Sequence, residues 1–121
     1  MSASASERVE SVLSEREACF LCRGDLARLA TVSRDGQPHV VPVAYEFDGQ
    51  FLYFSGLNLS KSLKFRHMLH NQKVALVVDE VVSVSPWKAR GIELRGIAEI
   101  LHERGRPYVR VSLRSGASWG L

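Results

Sequence analysis

The pattern of apolar and polar residues is helical at the start of the chain and strand-like over most of the remainder. Across residues 7–22, apolar positions recur at mixed three- and four-residue spacings between Glu and Arg, which predicts an amphipathic helix ending before Gly24. A second apolar stripe over residues 61–70 predicts another helix, with Ser60 as its N-cap. Most of the other segments are rich in β-branched and aromatic residues, which favours strands.

Six β-rich runs separated by turn signals predict an antiparallel sheet. They span residues 26–32, 40–47, 51–54, 73–84, 91–101 and 108–113. Asp35-Gly36 and Asp48-Gly49 are tight-turn signals that join the first three runs into a meander. Pro42 has no N–H to donate, which indicates an edge, a bulge, or a place where something other than a strand lies alongside. This inventory predicts a mainly β (α+β) domain built on a small closed or nearly closed antiparallel barrel, because closure removes exposed edges.

Composition limits the class of protein. The 121 residues predict a single domain, 1–121, and 45% hydrophobic with 24% charged residues is typical of a soluble globular chain. No run of about 18 apolar residues occurs, so we expect no membrane span and no membrane partner. Residues 1–6 are small and polar, which is typical of a frayed, disordered end rather than a signal peptide, so we expect a cytoplasmic protein.

The charge balance is only mildly basic. Lys and Arg number 16 against 13 Asp and Glu, a net charge of +3, and the arginines are scattered along the chain. A nucleic-acid partner is therefore not expected, because such proteins usually carry a dense basic stripe. The four lysines, in contrast, all lie between positions 61 and 88: Lys61, Lys64, Lys73 and Lys88.

The cysteines and histidines give no recognisable catalytic or metal motif. Cys19 and Cys22 form a C-x-x-C at the end of the first predicted helix, where the dipole disfavours a thiolate, so we interpret them as small buried core residues. His67 and His70 lie too far along the chain to complete a zinc finger, and we expect them to be surface or capping groups. Without a nucleophile and base or a phosphate-binding glycine loop, catalysis would depend on a bound cofactor.

Two segments could bind a ligand. Ser55-Gly56 begins a loop of small residues that leads to Ser60-Lys61 at the predicted helix start, where hydroxyls, an ammonium group and the helix dipole favour a phosphate. The alternative is a serine-capped helix with solvated lysines. Trp87 lies beside Lys88 and Arg90 at the start of a strand; it could stack on a ring system, or it could simply cover the mouth of the barrel.

The order of these segments resembles a known family. The stretches LARLATVSRDGQPHVVPVAYEFDG, FLYFSG, SKSLKFRHM, KVALVVD and RGIELRGIAEI follow one another as in the pyridoxamine 5′-phosphate oxidase-like FMN-binding split barrels. The resemblance is greatest to their actinobacterial branch of coenzyme F420-dependent enzymes. It implies a six-stranded antiparallel split β-barrel with two short helices, and a homodimer with a flavin or deazaflavin bound at the interface.

The resemblance also implies positions for the cofactor. By this likeness the strand Val40, Val41, Pro42 and Val43 faces the cofactor ring, and Ser55 and Gly56 approach the cofactor chain. Ser60 and Lys61 match a phosphate clamp that is usually Arg-Lys, so Ser60 removes a bidentate phosphate contact. Trp87, Lys88 and Arg90 fall near the place where the partner subunit closes over the cofactor.

The expected function is therefore an oxidoreductase in which coenzyme F420 donates a hydride to a small organic acceptor. An FMN-dependent oxidoreductase on the same barrel is the near alternative. A non-catalytic flavin- or haem-binding protein of the same fold is a further one.

Overall fold

A computed structural model describes residues 12–121 of the chain. Its two helices are α1, Glu15–Arg23, and α2, Leu63–His70. Its strands are β1 Leu26–Val32, β2 Pro38–Ala44, β3 Glu46–Phe47, β4 Phe51–Phe54, β5 Lys73–Val84, β6 Trp87–Glu103 and β7 Arg106–Trp119. The predicted disordered end, 1–6, lies outside the described residues, as does the part of the first predicted helix that precedes residue 12.

The strands form one antiparallel seven-stranded sheet in the order β2-β1-β5-β6-β7-β4-β3. The two strands at the ends of this order, β2 and β3, are separated in the chain only by Tyr45. The sheet therefore curves so far that its two edge strands are adjacent parts of one bent segment. The mainly β class with two helices is confirmed. The sequence analysis counted residues 40–47 as a single strand, and the structure divides that strand at Tyr45, which gives seven strands instead of six.

Tyr45 explains the division because its side chain is hydrogen-bonded to α1 and its backbone is hydrogen-bonded to the segment that follows α1. Its N–H donates to the Asp25 carbonyl at 3.1 Å, and its phenol donates to the Leu21 carbonyl at 2.6 Å. Burial raises the pKa of Tyr45 to about 12, so the phenol stays protonated and remains a donor at neutral pH. The backbone and side-chain hydrogen bonds of Tyr45 thus both stabilise the bend.

The core lies inside the curved sheet and is closed by the two helices. Its most deeply buried side chains are Leu21, Leu29, Leu52, Met68, Leu76, Ile92, Leu94, Val109 and Val111. They come from both helices and from most strands, with inward positions alternating along β1, β4 and the first half of β5. Removing this apolar surface from water is the main stabilising contribution to the fold.

Helix α1 begins later than predicted. Ser14 and Glu17 form a capping box: the Ser14 hydroxyl accepts from the Glu17 N–H at 3.1 Å, and the Glu17 carboxylate accepts from the Ser14 N–H at 2.9 Å. Residues 12–14 therefore precede the helix, because the cap fixes its start at Glu15. Within the described residues, no helix is both long and apolar enough to cross a membrane.

Cys19 and Cys22 are exposed, so the prediction that they are buried core residues is wrong. Phe20 and Leu21 lie between them and occupy the inward face of α1, which leaves the cysteines on the outward side. Among residues 12–121, no group of three or more His, Cys, Asp or Glu side chains is placed to hold a metal ion.

The start of α2 also differs from the prediction. Ser62, and not Ser60, is the N-cap, since its hydroxyl accepts from the Phe65 N–H at 3.3 Å. Leu59–Lys61 forms a short 3-10 turn before the helix. Ser60 and Lys61 therefore lie in this turn, on the approach to α2 rather than in its first helical positions.

Candidate functional site

A cavity of about 990 Å³ opens beyond the ends of β4 and β6. We call it the end cavity. One wall is the loop after β4, and the other is the β6–β7 turn with the first residues of β7; together they are Ser55, Gly56, Leu57, Leu59, Ser60, Glu103, Arg104, Arg106, Pro107 and Tyr108. The two walls meet because β4 pairs with β7 in a register that sets Phe54 opposite Val109.

The first wall contains three of the predicted cofactor residues: Ser55, Gly56 and Ser60. A side chain built on Gly56 would meet no other atom within 4 Å, so the glycine leaves open space at this point of the cavity. Lys61 follows Ser60 directly and is exposed. This wall therefore carries two hydroxyl groups and a glycine without a side chain, and an ammonium group lies beside it.

Backbone N–H groups contribute less to this wall than the sequence suggests. The N–H of Lys61 donates to the Asn58 carbonyl at 3.0 Å, and the N–H of Ser62 donates to the Leu59 carbonyl at 3.0 Å. The Ser62 hydroxyl caps α2 and donates to the Leu59 carbonyl at 2.6 Å. The turn thus uses these two backbone donors and the Ser62 hydroxyl, and the side chains of Ser55, Ser60 and Lys61 are the further candidates for contact with an anion.

The second wall was not found by sequence analysis, which assigned no role to the segment between the predicted strands 91–101 and 108–113. Arg104 and Arg106 both line the end cavity. A pair of arginines two positions apart within one predicted turn is the signal that could have identified them, because such residues project from the end of a sheet. They give the cavity a cationic wall opposite the loop that carries Ser60.

The strand predicted to face the cofactor ring is β2, at one end of the sheet order. Its pairing with β1 sets Pro42 opposite Arg28, and the position of β2 at the end of the sheet confirms the edge expected for this proline. Val40 and Pro42 are exposed, Val41 is half-buried and Val43 is buried in the core. Of the four predicted β2 positions, Val40 and Pro42 are therefore the two with exposed side chains.

Trp87, Lys88 and Arg90 lie away from the end cavity, at the tip of the β5–β6 hairpin. Trp87 pairs with Val84, and Lys88 pairs with Ser83. Arg90 forms an ion pair with Glu80, and its guanidinium lies 5.8 Å from the centre of the Phe20 ring. Within one chain, Arg90 thus lies beside α1, whereas Trp87 and Lys88 lie at the exposed end of the hairpin.

A buried histidine cluster lies between α2 and the β1–β2 hairpin. His67 is 4% exposed, so the prediction of a surface or capping group is wrong for this residue. Its Nδ1 lies 2.8 Å from the Thr31 hydroxyl oxygen, and its ring packs edge-on against His39 at 5.4 Å between centroids. Burial, followed by the charges of His39, His70 and Arg66, lowers the pKa of His67.

The end cavity of this small antiparallel barrel is lined by hydroxyl and guanidinium groups, which are groups that can bind an anion. Comparison with known sequences and structures identifies the family. The chain belongs to the pyridoxamine 5′-phosphate oxidase family, whose sequence model matches residues 13–115.

The chain is 33% identical over 117 residues to a 5a,11a-dehydrotetracycline/5a,11a-dehydrooxytetracycline reductase from Streptomyces rimosus, covering 88% of this chain and 82% of the relative. Among solved structures it resembles an F420 reductase, with a TM-score of 0.71, 25% identity, and coverage of 87% of this chain and 98% of that one. The fold also matches protein Rv2991 from Mycobacterium tuberculosis, with a TM-score of 0.74, 24% identity, and coverage of 93% and 88%. The relatives of the chain thus include oxidoreductases of this class.

Proposed function

We propose that the protein is an oxidoreductase that binds coenzyme F420 and uses it to reduce a small organic acceptor. The observation that carries the proposal is the end cavity, where Ser55, Gly56 and Ser60 meet the cationic β6–β7 turn. The F420 reductase with the same fold and the dehydrotetracycline reductase support the choice of cofactor and of reaction. FMN is the competing cofactor because it also carries a phosphate group.

The residues present fit a phosphorylated ring cofactor. Lys61 provides a cation and Ser55 and Ser60 provide hydroxyl donors for the phosphate, while Gly56 leaves its wall open to the cofactor chain. Val40 and Pro42 do not line the end cavity; they offer a separate exposed apolar surface on β2 for the ring. When bound, such a cofactor supplies the hydride, and the protein contributes binding, orientation and exclusion of water.

The proposed reaction also indicates which class of small molecule would accept the hydride. Hydride transfer requires mainly that donor and acceptor be held in contact. The name of the Streptomyces relative describes reduction of a dehydro compound. An acceptor with an activated C=C bond, a quinone-like ring or an imine is therefore the class to test first.

A second copy of the chain is proposed to complete the site. The β5–β6 hairpin extends beyond its pairing with β1, and its tip exposes Val81, Val82, Val84 and Trp87. An exposed apolar patch of this kind marks an interaction surface. A homodimer built on this hairpin would bring Trp87, Lys88 and Arg90 of one subunit towards the cofactor of the other.

The dimer proposal is tested by measuring molar mass in solution. Val82→Glu at the hairpin tip should convert dimer to monomer, because it buries a charge in the interface. Leu69→Glu is the matched control, since Leu69 is 63% exposed on α2. A wild-type monomer, or a Val82→Glu protein that remains dimeric, would contradict the proposal.

The cofactor proposal is tested by titrating the purified protein with coenzyme F420 and with FMN while following tryptophan fluorescence. Lys61→Ala should weaken binding by about 1.5–3 kcal/mol through loss of a charge-assisted contact, with little change in melting temperature. Lys64→Ala, in α2, is the control and should bind as the wild type does. Binding of neither cofactor would refute the proposal, and binding of haem alone would favour the non-catalytic alternative.

A further inference from the structure

A second cavity adjoins the end cavity. It encloses about 310 Å³, which is at the small end of ligand pockets, and we call it the tyrosine cleft. It is lined by Ala44, Tyr45, Glu46, Tyr53, Phe54, Ser55 and Tyr108. Ser55 and Tyr108 also line the end cavity, and Ala44 lies two positions after Pro42 on β2, with both exposed. The cleft therefore borders both the cavity proposed for the phosphate and the strand proposed for the cofactor ring.

Two tyrosines form an aromatic wall of this cleft. Because β4 pairs with β7 in a register that sets Tyr53 opposite Arg110, Tyr108 lies diagonally across from Tyr53 on the same face of the sheet. The two ring centroids are 6.4 Å apart and the rings are inclined by 41°. Both side chains are half-buried, so each ring keeps a surface that a flat ligand can contact. Among the residues that line the cleft only Glu46 is charged, and a carboxylate disfavours an anionic ligand.

The three tyrosines of the cleft differ in what their hydroxyl groups bind. The Tyr45 phenol donates to the Leu21 carbonyl at 2.6 Å. The Tyr53 phenol donates to an Asp48 carboxylate oxygen at 3.0 Å. The Tyr108 phenol forms no hydrogen bond to any residue from 12 to 121. Tyr108 is therefore a tyrosine at the boundary of the two cavities whose hydroxyl is available to a ligand.

An available phenol at this boundary suits the proton-transfer half of a reduction. When an enone or a quinone accepts a hydride, the electron pair leaves negative charge on the conjugated carbonyl oxygen, and a proton delivered to that oxygen completes the reduction. The hydride comes from the reduced cofactor of the proposed function. A phenol hydrogen-bonded to the oxygen stabilises the developing charge and supplies the proton, and water then returns a proton to the phenolate.

We infer that the tyrosine cleft binds the acceptor, and that Tyr108 is a catalytic residue whose phenol donates a hydrogen bond and then a proton to the acceptor's carbonyl oxygen. The acceptor class is an uncharged ring compound in which a C=C bond is conjugated to a carbonyl. The inference rests on the proposed function and adds to it a substrate class and a proton donor.

The test compares the wild type with Tyr108→Phe, which keeps the ring and removes only the hydroxyl. Reduced coenzyme F420 is the hydride donor and duroquinone is the acceptor; the four ring carbons of duroquinone carry methyl groups, so the exposed Cys19 and Cys22 do not add to it. We expect kcat to fall about a hundredfold and KM to rise by no more than about threefold, because a general acid acts mainly in the transition state.

Three measurements do not depend on turnover. F420 affinity, measured by fluorescence titration, should be the same in Tyr108→Phe and the wild type. The melting temperature should also be unchanged, because the Tyr108 hydroxyl has no hydrogen-bond partner to lose among residues 12–121. Saturation-transfer NMR should detect duroquinone on both proteins while oxidised F420 is bound.

Tyr53→Phe is the matched contrast for stability. It removes a hydroxyl from the neighbouring ring, but that hydroxyl is bound to Asp48, so its melting temperature should fall by about 2–6 °C. Tyr108→Ala removes the ring as well as the hydroxyl and should raise the KM for duroquinone about tenfold.

Unchanged kcat in Tyr108→Phe would overturn the proton-donor role and leave the proposed function intact. Displacement of bound F420 by duroquinone would put both ligands in one site and overturn the assignment of the cleft to the acceptor. A loss of F420 affinity as large as the loss of kcat would assign the Tyr108 hydroxyl to the cofactor instead. If the wild type binds F420 but does not reduce duroquinone, the acceptor class is wrong, and failure to bind F420 would overturn the inference and the proposed function together.

Discussion

Gly56 offers a test of the site in which stability and binding should change in opposite directions. Its φ lies outside the left-handed region, and a methyl group there would meet no atom within 4 Å. Gly56→Ala should therefore stabilise the fold by about 0.4–1 kcal/mol, because the alanine loses less backbone entropy on folding. For a domain of this size, that corresponds to a rise in melting temperature of about 1–5 °C.

The same methyl group would project into the end cavity where the cofactor chain is proposed to lie. We expect cofactor affinity to fall about tenfold, which corresponds to about 1.4 kcal/mol. Thermal unfolding measures the first effect, and fluorescence titration with coenzyme F420 measures the second. Undiminished affinity would show that no ligand approaches Gly56, and a lower melting temperature would refute the reasoning about its backbone.

Gly96→Ala is the matched contrast within the sheet. A Cβ at Gly96 would lie 2.6 Å from the Ser112 carbonyl oxygen and 2.7 Å from Val111 Cγ1, at the irregularity between β6 and β7. Overpacking of this kind costs about 1–3 kcal/mol. This variant should lose stability where Gly56→Ala gains it, and a neutral result would mean that the strands yield more easily than their packing indicates.

Three further predictions concern parts of the fold distant from the end cavity. The pKa of His67 is lowered in the folded state, so the unfolded chain binds the proton first and the free energy of unfolding should fall as the pH drops below about 6.5. His67→Gln should flatten this pH dependence in thermal melts, whereas the exposed control His102→Gln should keep it. Thr31→Val should cost about 1–3 kcal/mol in urea unfolding, since it leaves the buried His67 Nδ1 without its partner at 2.8 Å; a neutral effect would argue against that hydrogen bond. Ser14→Ala should cost about 1 kcal/mol by removing the capping box of α1, and no change in stability would show that the cap contributes nothing there.

The strand pattern was accessible from sequence because the turns that separate the strands are chemically explicit. Gly36 and Gly49, the second residues of the two Asp-Gly signals, have φ angles of +88° and +97°, which is the conformation those signals predict. The division of the second strand was not accessible. It depends on Tyr45 reaching the carbonyl of Leu21, a contact between segments that no local pattern encodes.

Only one wall of the candidate site was predicted, because the other joins it through contacts between segments that are distant in the sequence. Ser55, Gly56 and Ser60 form a continuous segment whose composition indicates anion binding, whereas Arg104 and Arg106 join them only through the pairing of β4 with β7. The burial of His67 and the exposure of Cys19 and Cys22 were mispredicted because each depends on which helix face meets the sheet. An amphipathic pattern this short specifies that face only loosely.

The pairing of β4 with β7 also has a consequence for how the protein acquires its ligand. Phe54 meets Val109 across a long stretch of intervening chain, and contacts between such distant segments form late because a large loop must close first. While the chain is being synthesised, the loop after β4 is made well before the turn that faces it. The end cavity therefore exists only once β7 is in place, so a ligand that contacts both of its walls can bind only after β4 and β7 have paired.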